Sequence, residues 1–199
     1  MSDETMLIAN ETYLKAGVHI GTKFKTKYME PYIFKVRPDG LAVLNMTSID
    51  ERIKEVSTYM ANFEPKDILV VARRENAWKP ATLFGRMTGA KIVTARYPPG
   101  MLTNPNLGRF IEPKLLVATD PWPDRNPIKD ARKMNIPVVA FCDTNNTTQD
   151  IDVVMPCNNK GKKSLGLVFY LLGREYMLKR GLIKKEEDLP YKIEDFMEE

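Results

Sequence analysis

Short apolar runs without a polar residue recur along this chain, and stretches of helical periodicity fall between them. The runs at 68–72 (ILVVA), 115–118 (LLVA) and 138–141 (VVAF) would each hide both faces of a strand. An antiparallel sheet with one wet face alternates apolar and polar residues, so unbroken runs point to a parallel sheet covered by helices. Runs at 41–44, 92–94 and 153–154 complete the set of candidate strands.

The intervening segments supply the helices. Ser48 and Glu51 fit a capping box, and Ile49, Ile53, Val56, Met60 and Phe63 follow at steps of three and four, which predicts a helix ending near Pro65. A second helix is predicted over 77–88 with Gly89 as its stop, and a shorter one over 127–134. The last starts at Lys162 or Lys163 and runs to about Arg180, before Gly181; Leu165, Val168, Phe169, Leu172 and Tyr176 form one face, and Leu167 and Leu171 widen it into a buried helix. The chain up to Arg37 reads as a short helix over 11–16 followed by loops. After Leu182 an extended or weakly helical arm is expected, with Phe196 and Met197 as isolated apolar residues. Segment 97–112, rich in Pro, Gly and Asn, is long for an inert connection and predicts a lid, a binding loop or a partner contact; 120–127 (DPWPDRNP) is equally irregular.

With 199 residues and 43% hydrophobic content, one well-buried core is expected. The reading divides the chain into an amino-terminal extension and basic loop (1–40), an α/β domain (41–182) and an acidic arm (183–199). The opening residues lack a signal-peptide pattern, and no run reaches the roughly 18 apolar residues of a membrane span. A cytoplasmic protein with no membrane partner is therefore expected. Cys142 and Cys157 lack CxxC spacing and read as reduced, buried thiols rather than a disulfide or a metal pair.

Charge is uneven. Residues 186–199 hold seven acids against Lys192, so the other 185 residues carry 29 basic and 19 acidic groups, a net +10. Lys23, Lys25, Lys27, Lys35 and Arg37 form one basic cluster, and 160–185 forms another, which suggests a polyanionic partner. In TKFKTKYMEPY, lysines interleave with Phe24, Tyr28 and Tyr32; lysines suit phosphates, while aromatic rings suit bases or an apolar anchor, with at least one ring buried.

Enzymatic motifs are weak. NKGKKS resembles the end of a phosphate-binding loop, but Pro156 stands five residues before Gly161, and Lys163 stands where Ser or Thr is required. The helix start beside Lys160, Lys162 and Lys163 could still hold a nucleic-acid phosphate through exposed amides. His19 is the only histidine and has no evident catalytic or metal companion, so a hydrogen-bonded imidazole in a packed loop is expected. Asp120 and Asp143 each follow a buried strand. They read either as loop caps or, with Asn145 and Asn146, as the site of a small-ligand binder or enzyme.

Three strings, at 16–45, 104–121 and 143–178, resemble the small-subunit ribosomal protein S2 family (uS2) in its archaeal form, in order and spacing across nearly the whole chain. The resemblance implies a flavodoxin-like three-layer α/β/α fold with a parallel five-stranded sheet. It also implies a structural role in the small ribosomal subunit, with small-subunit rRNA and neighbouring ribosomal proteins as partners. No catalysis, cofactor, metal or small-molecule substrate is expected. The helical hairpin of bacterial members looks absent, because Leu44 leads directly into one helix. Carried over to this sequence, the basic loop makes Lys23, Lys25 and Lys27 the first rRNA-contact candidates. Arg37, Lys160, Lys162 and Lys163 come next, then Arg96 and Arg109.

Overall fold

A computed structural model describes residues 6–185 and 188–197. Its centre is a five-stranded sheet of β3 (Ile68–Ala72), β4 (Lys91–Thr94), β5 (Leu115–Ala118), β6 (Val138–Cys142) and β7 (Val153–Pro156). The strands lie in the order β4-β3-β5-β6-β7, and every adjacent pair is parallel. This is the flavodoxin-like order. The unbroken apolar runs behave as their composition requires: β3, β5 and β6 are buried at every position. Alternate residues serve opposite faces, with Ile68 and Val70 in one core cluster and Leu69 and Val71 in the other.

The faces are covered differently. On one side lie α2 (Met46–Met60), α3 (Trp78–Thr88) and α5 (Lys162–Lys179), joined by α1 (Asn10–Ala16) and α6 (Ile193–Met197). The rings of Phe84, Phe141 and Phe169 meet there, with centroids 5.0 and 5.6 Å from that of Phe169. Each such buried side chain contributes roughly 1.5–3 kcal/mol. On the other side α4 (Arg125–Lys133) is the only α-helix among the described residues. The long segment after β4, together with Met29, adds to the cover: Tyr97 and Leu102 are buried, and the Tyr97 hydroxyl donates to Asp130 at 3.2 Å. This segment therefore takes the position of a crossover helix.

The amino-terminal third departs from the sequence expectation. Residues 42–44 do not enter the main sheet; β2 (Ala42–Leu44) pairs antiparallel with β1 (Ile33–Val36) in a separate ribbon. The turn is Pro38-Asp39-Gly40, with Gly40 in the left-handed region and Arg37 N–H donating to Leu41 O at 2.8 Å. Reading 17–37 as loops misses β1 because IFKV is mostly exposed and lacks the unbroken apolar run of the core strands. The cap of α2 is also different. Asn45, still extended as the chain leaves β2, accepts from Thr47 N–H at 3.1 Å, so the helix starts before Ser48. No hairpin is inserted between β2 and α2.

The acidic segment is not wholly an arm. Phe196, expected as an isolated apolar residue, is fully buried, its ring against Tyr170 and Tyr191. Gly166 on α5 allows this, since a side chain there would collide with the Phe196 backbone. Of the acids noted in sequence, Glu186, Glu187, Glu198 and Glu199 lie outside the described residues.

Candidate nucleic-acid interface

Parallel sheets present their polar loops at the carboxyl ends of the strands, and in this strand order the switch point lies between β3 and β5. Arg74 follows β3 and Asp120 follows β5, and the two form an ion pair across that point. The other Asp120 oxygen accepts from Trp122 N–H at 3.0 Å and from Asn146 Nδ2 at 3.1 Å. Asn146 Oδ1 accepts from Asp143 N–H at 2.7 Å and from Asn159 Nδ2 at 3.0 Å. Asp143 accepts from Thr144 N–H at 2.6 Å and from Lys160 Nζ at 2.8 Å, and Lys160 also donates to Asn145 Oδ1 at 3.0 Å.

Beside this network Asp124 accepts from Thr119 Oγ1 and from the amides of Asp120 and Arg73, at 3.0 to 3.1 Å. Burial nonetheless pushes its carboxyl up to about 7. Asp120 and Asp143 are thus joined through Asn146 as structural caps. The lone pairs of Asp120 are all taken by protein donors, so the pair offers a metal or a ribose little. Sequence reasoning misses Arg74 and Asn159. The signal for Arg74 was present: it follows a buried strand just as Asp120 and Asp143 do.

The basic loop is tied onto this network. Thr22 N–H donates to Thr144 Oγ1 at 2.9 Å, and Thr26 donates through its amide to Thr144 O at 3.0 Å and through its hydroxyl to Asn146 O at 2.6 Å. Gly21 makes the approach possible, because a Cβ there would lie 2.5 Å from Thr144 Cγ2. Between and beyond the anchoring threonines, Lys23, Lys25 and Lys27 are exposed, and none has an ion-pair partner among the described residues. Phe24 is 79% exposed and Tyr28 56%. The expectation of a buried ring is met only partly: Tyr32 is half-buried against Arg52, and Met29 is the residue that enters the core.

The remaining candidates are dispersed. Arg37 sits at the ribbon turn, 4.0 Å from Asp39. Arg96 is exposed after β4 and shares a small cleft with Arg73; Arg109 is exposed on the long connection. At the start of α5, Lys163 is exposed and Lys162 half-buried. The amides of Lys160 and Gly161, which resembled a phosphate cradle, both donate to Asn158 Oδ1 at 3.1 Å. Lys160 itself is committed to Asp143.

His19 is held differently from the expectation. Its carbonyl accepts from Leu44 N–H at 2.8 Å, but its ring lines an apolar groove with Leu14, Ile20 and Phe34, and the enclosed Nδ1 meets no hydrogen-bond partner among the described residues. The ring therefore lacks the expected hydrogen bond through Nδ1, and burial lowers its pKa. Cys142 and Cys157 are free and buried, and burial raises both thiols well above the ordinary range.

A family model described as ribosomal protein S2 matches residues 13–108 and 106–177. The chain is 46% identical over 198 residues to the small ribosomal subunit protein uS2 of Methanococcus maripaludis strain C6, covering 100% of this chain and 89% of that protein. It is 45% identical over 194 residues to the protein of the same description from Thermoplasma acidophilum, covering 98% of each. To its counterpart from Nanoarchaeum equitans it is 46% identical over 190 residues, covering 96% of this chain and 94% of that protein.

Proposed function

Because the chain belongs to the ribosomal protein S2 family, we propose that it binds small-subunit rRNA chiefly through Lys23, Lys25 and Lys27. It is a structural constituent of the small ribosomal subunit, and it works in the cytoplasm as part of that particle. The observation that carries the lysine assignment is the loop itself: threonines fasten it to the strand ends, and the lysines between and beyond them face outward. Phosphate contacts of this kind hold and orient a protein without reading sequence. Arg37, Arg96, Arg109, Lys162 and Lys163 extend the same role over separate patches, with neighbouring ribosomal proteins packed between them. Lys160 contributes mainly by holding Asp143. No catalytic role is assigned; at the switch point, where this fold builds ligand sites, Arg74 and Asp120 are paired with each other.

The test replaces Lys23, Lys25 and Lys27 together by Ala and measures binding to small-subunit rRNA across a salt series. The variant should bind more weakly, and its plot of log affinity against log salt should flatten by about 2, at roughly 0.7 per lost contact. Its unfolding midpoint should stay close to that of the parent, because exposed substitutions of this kind change stability by about 0.5 kcal/mol or less each. An unchanged salt slope removes the loop from the interface.

A further inference from the structure

An exposed tryptophan stands next to the basic loop. Trp122 lies between Pro121 and Pro123, and its amide is pinned to Asp120, yet its side chain is 74% exposed. The two prolines restrict the backbone, so the indole is offered to solvent from a fixed base. It forms one wall of an open cleft of about 590 Å³ between the β5–α4 and β6–β7 connections. Arg125 and Lys129, one turn apart on α4, line the same cleft, and neither has an ion-pair partner among the described residues. Asn145 and Gln149 supply amide groups on the opposite side. Asp150 also lines the cleft and disfavours an anion at that end, although Arg132 lies 3.9 Å from it. The cleft adjoins the lysine loop directly, since Asn146 in its wall accepts the Thr26 hydroxyl.

We propose that this cleft holds one unpaired nucleotide of the RNA, with its base stacked on Trp122, its phosphate met by Arg125 and Lys129, and its base edge facing Asn145 and Gln149. The proposal rests on the RNA-binding reading above and deepens it. A paired base cannot use the site: in an A-form helix its faces are covered by its neighbours, and only a splayed nucleotide exposes a face to an indole. Stacking is tolerant of base identity, so purines should be favoured by their larger area rather than by sequence. The flanking backbone would then run onto Lys23, Lys25 and Lys27.

The sequence contains two tryptophans, so Trp78→Phe leaves Trp122 as the sole reporter. If that change disturbs folding, comparing the parent with Trp122→Phe isolates the same signal. Titration with short oligoadenylate, short oligouridylate and a fully paired RNA hairpin should quench Trp122 saturably with the single strands, more with oligoadenylate, and not with the hairpin stem. Trp122→Ala should weaken oligoadenylate binding about tenfold, and Trp122→Phe by less than about threefold. The triple lysine variant should bind less tightly but reach the same quenching at saturation. Equal quenching by the paired hairpin, or unchanged affinity in Trp122→Ala, overturns the cleft as a nucleotide site. If the lysines govern binding while Trp122 is silent, the loop assignment stands and the cleft assignment falls; if neither the lysines nor Trp122 affects RNA binding, both fall. Quenching by a proline-rich peptide with no response to RNA would assign the cleft to protein instead.

Discussion

Two groups of charged side chains at the carboxyl end of the sheet are joined through Thr26 and Asn146, yet they meet opposite fates. Asp120, Asp143, Arg74 and Lys160 close on one another around Asn146, whereas Lys23, Lys25 and Lys27 stay open to solvent. The difference lies in what each charge would otherwise leave behind. Asp120 and Asp143 are buried behind the strands, and an unpaired buried carboxylate costs several kcal/mol, so they draw in whatever cation can reach them. The loop lysines form no ion pair among the described residues. Positive charge counted along a sequence is therefore an upper limit on the charge available to a polyanion.

The comparison is most severely tested at Asn146. Replacing it by Ala removes the acceptor for the Asp143 amide, leaving that buried N–H unpaired, and takes one hydrogen bond each from Asn159, which keeps Phe141 O, and from Asp120, which keeps Trp122 N–H and Arg74. A loss of roughly 3 kcal/mol in denaturant unfolding is expected, with the loop anchor at Thr26 loosened as well. A loss below about 1 kcal/mol would mean that the network is not closed. Lys160→Met should cost less, roughly 2 kcal/mol, because the lysine is itself one-third exposed while Asp143 is not. The same variant should leave the salt dependence of RNA binding unchanged, and a flattened slope would move Lys160 into the open group.

The last effect is a matter of sign. The Asp124 carboxyl stands at about 7 in the folded protein against 3.8 for the free group, so between those values the folded state holds the proton more firmly. This contribution is full below about pH 4 and disappears as pH rises through about 7. Unfolding midpoints at about pH 5 and about pH 8 should therefore differ more in the parent than in Asp124→Asn.

Much of the core was legible because buried parallel strands leave an unmistakable mark: ILVVA, LLVA and VVAF admit little else. The helices α2 and α5 were legible through their periodicity, and α3 through the glycine that ends it. Of the ribbon, β2 was legible as the run 41–44 although not its partner, while β1 was not, because IFKV is mostly exposed. At the strand ends, the exposure of Lys23, Lys25 and Lys27 could be read from residue type and Arg74 could be noticed by its place after a buried strand, while the Arg74–Asp120 pairing, Asn159 and the inward turn of Lys160 could not be read. Those depend on which strand lies beside which, and the order β4-β3-β5 places residues 74 and 120 together across 46 positions of chain.

Helix α5 and the loop before it also tie down the opening segment. Arg174 donates to the carbonyl of Leu7 at 3.1 Å, and Asn158 donates to that of Gly17 at 3.1 Å. These two bonds join residues 167 and 141 positions apart, while Leu7 N–H and the Tyr13 hydroxyl donate to the much nearer Asp50. Contacts that span so much of the chain carry a large loop-closure cost, so this edge of the core should form later in folding than the helices beside it.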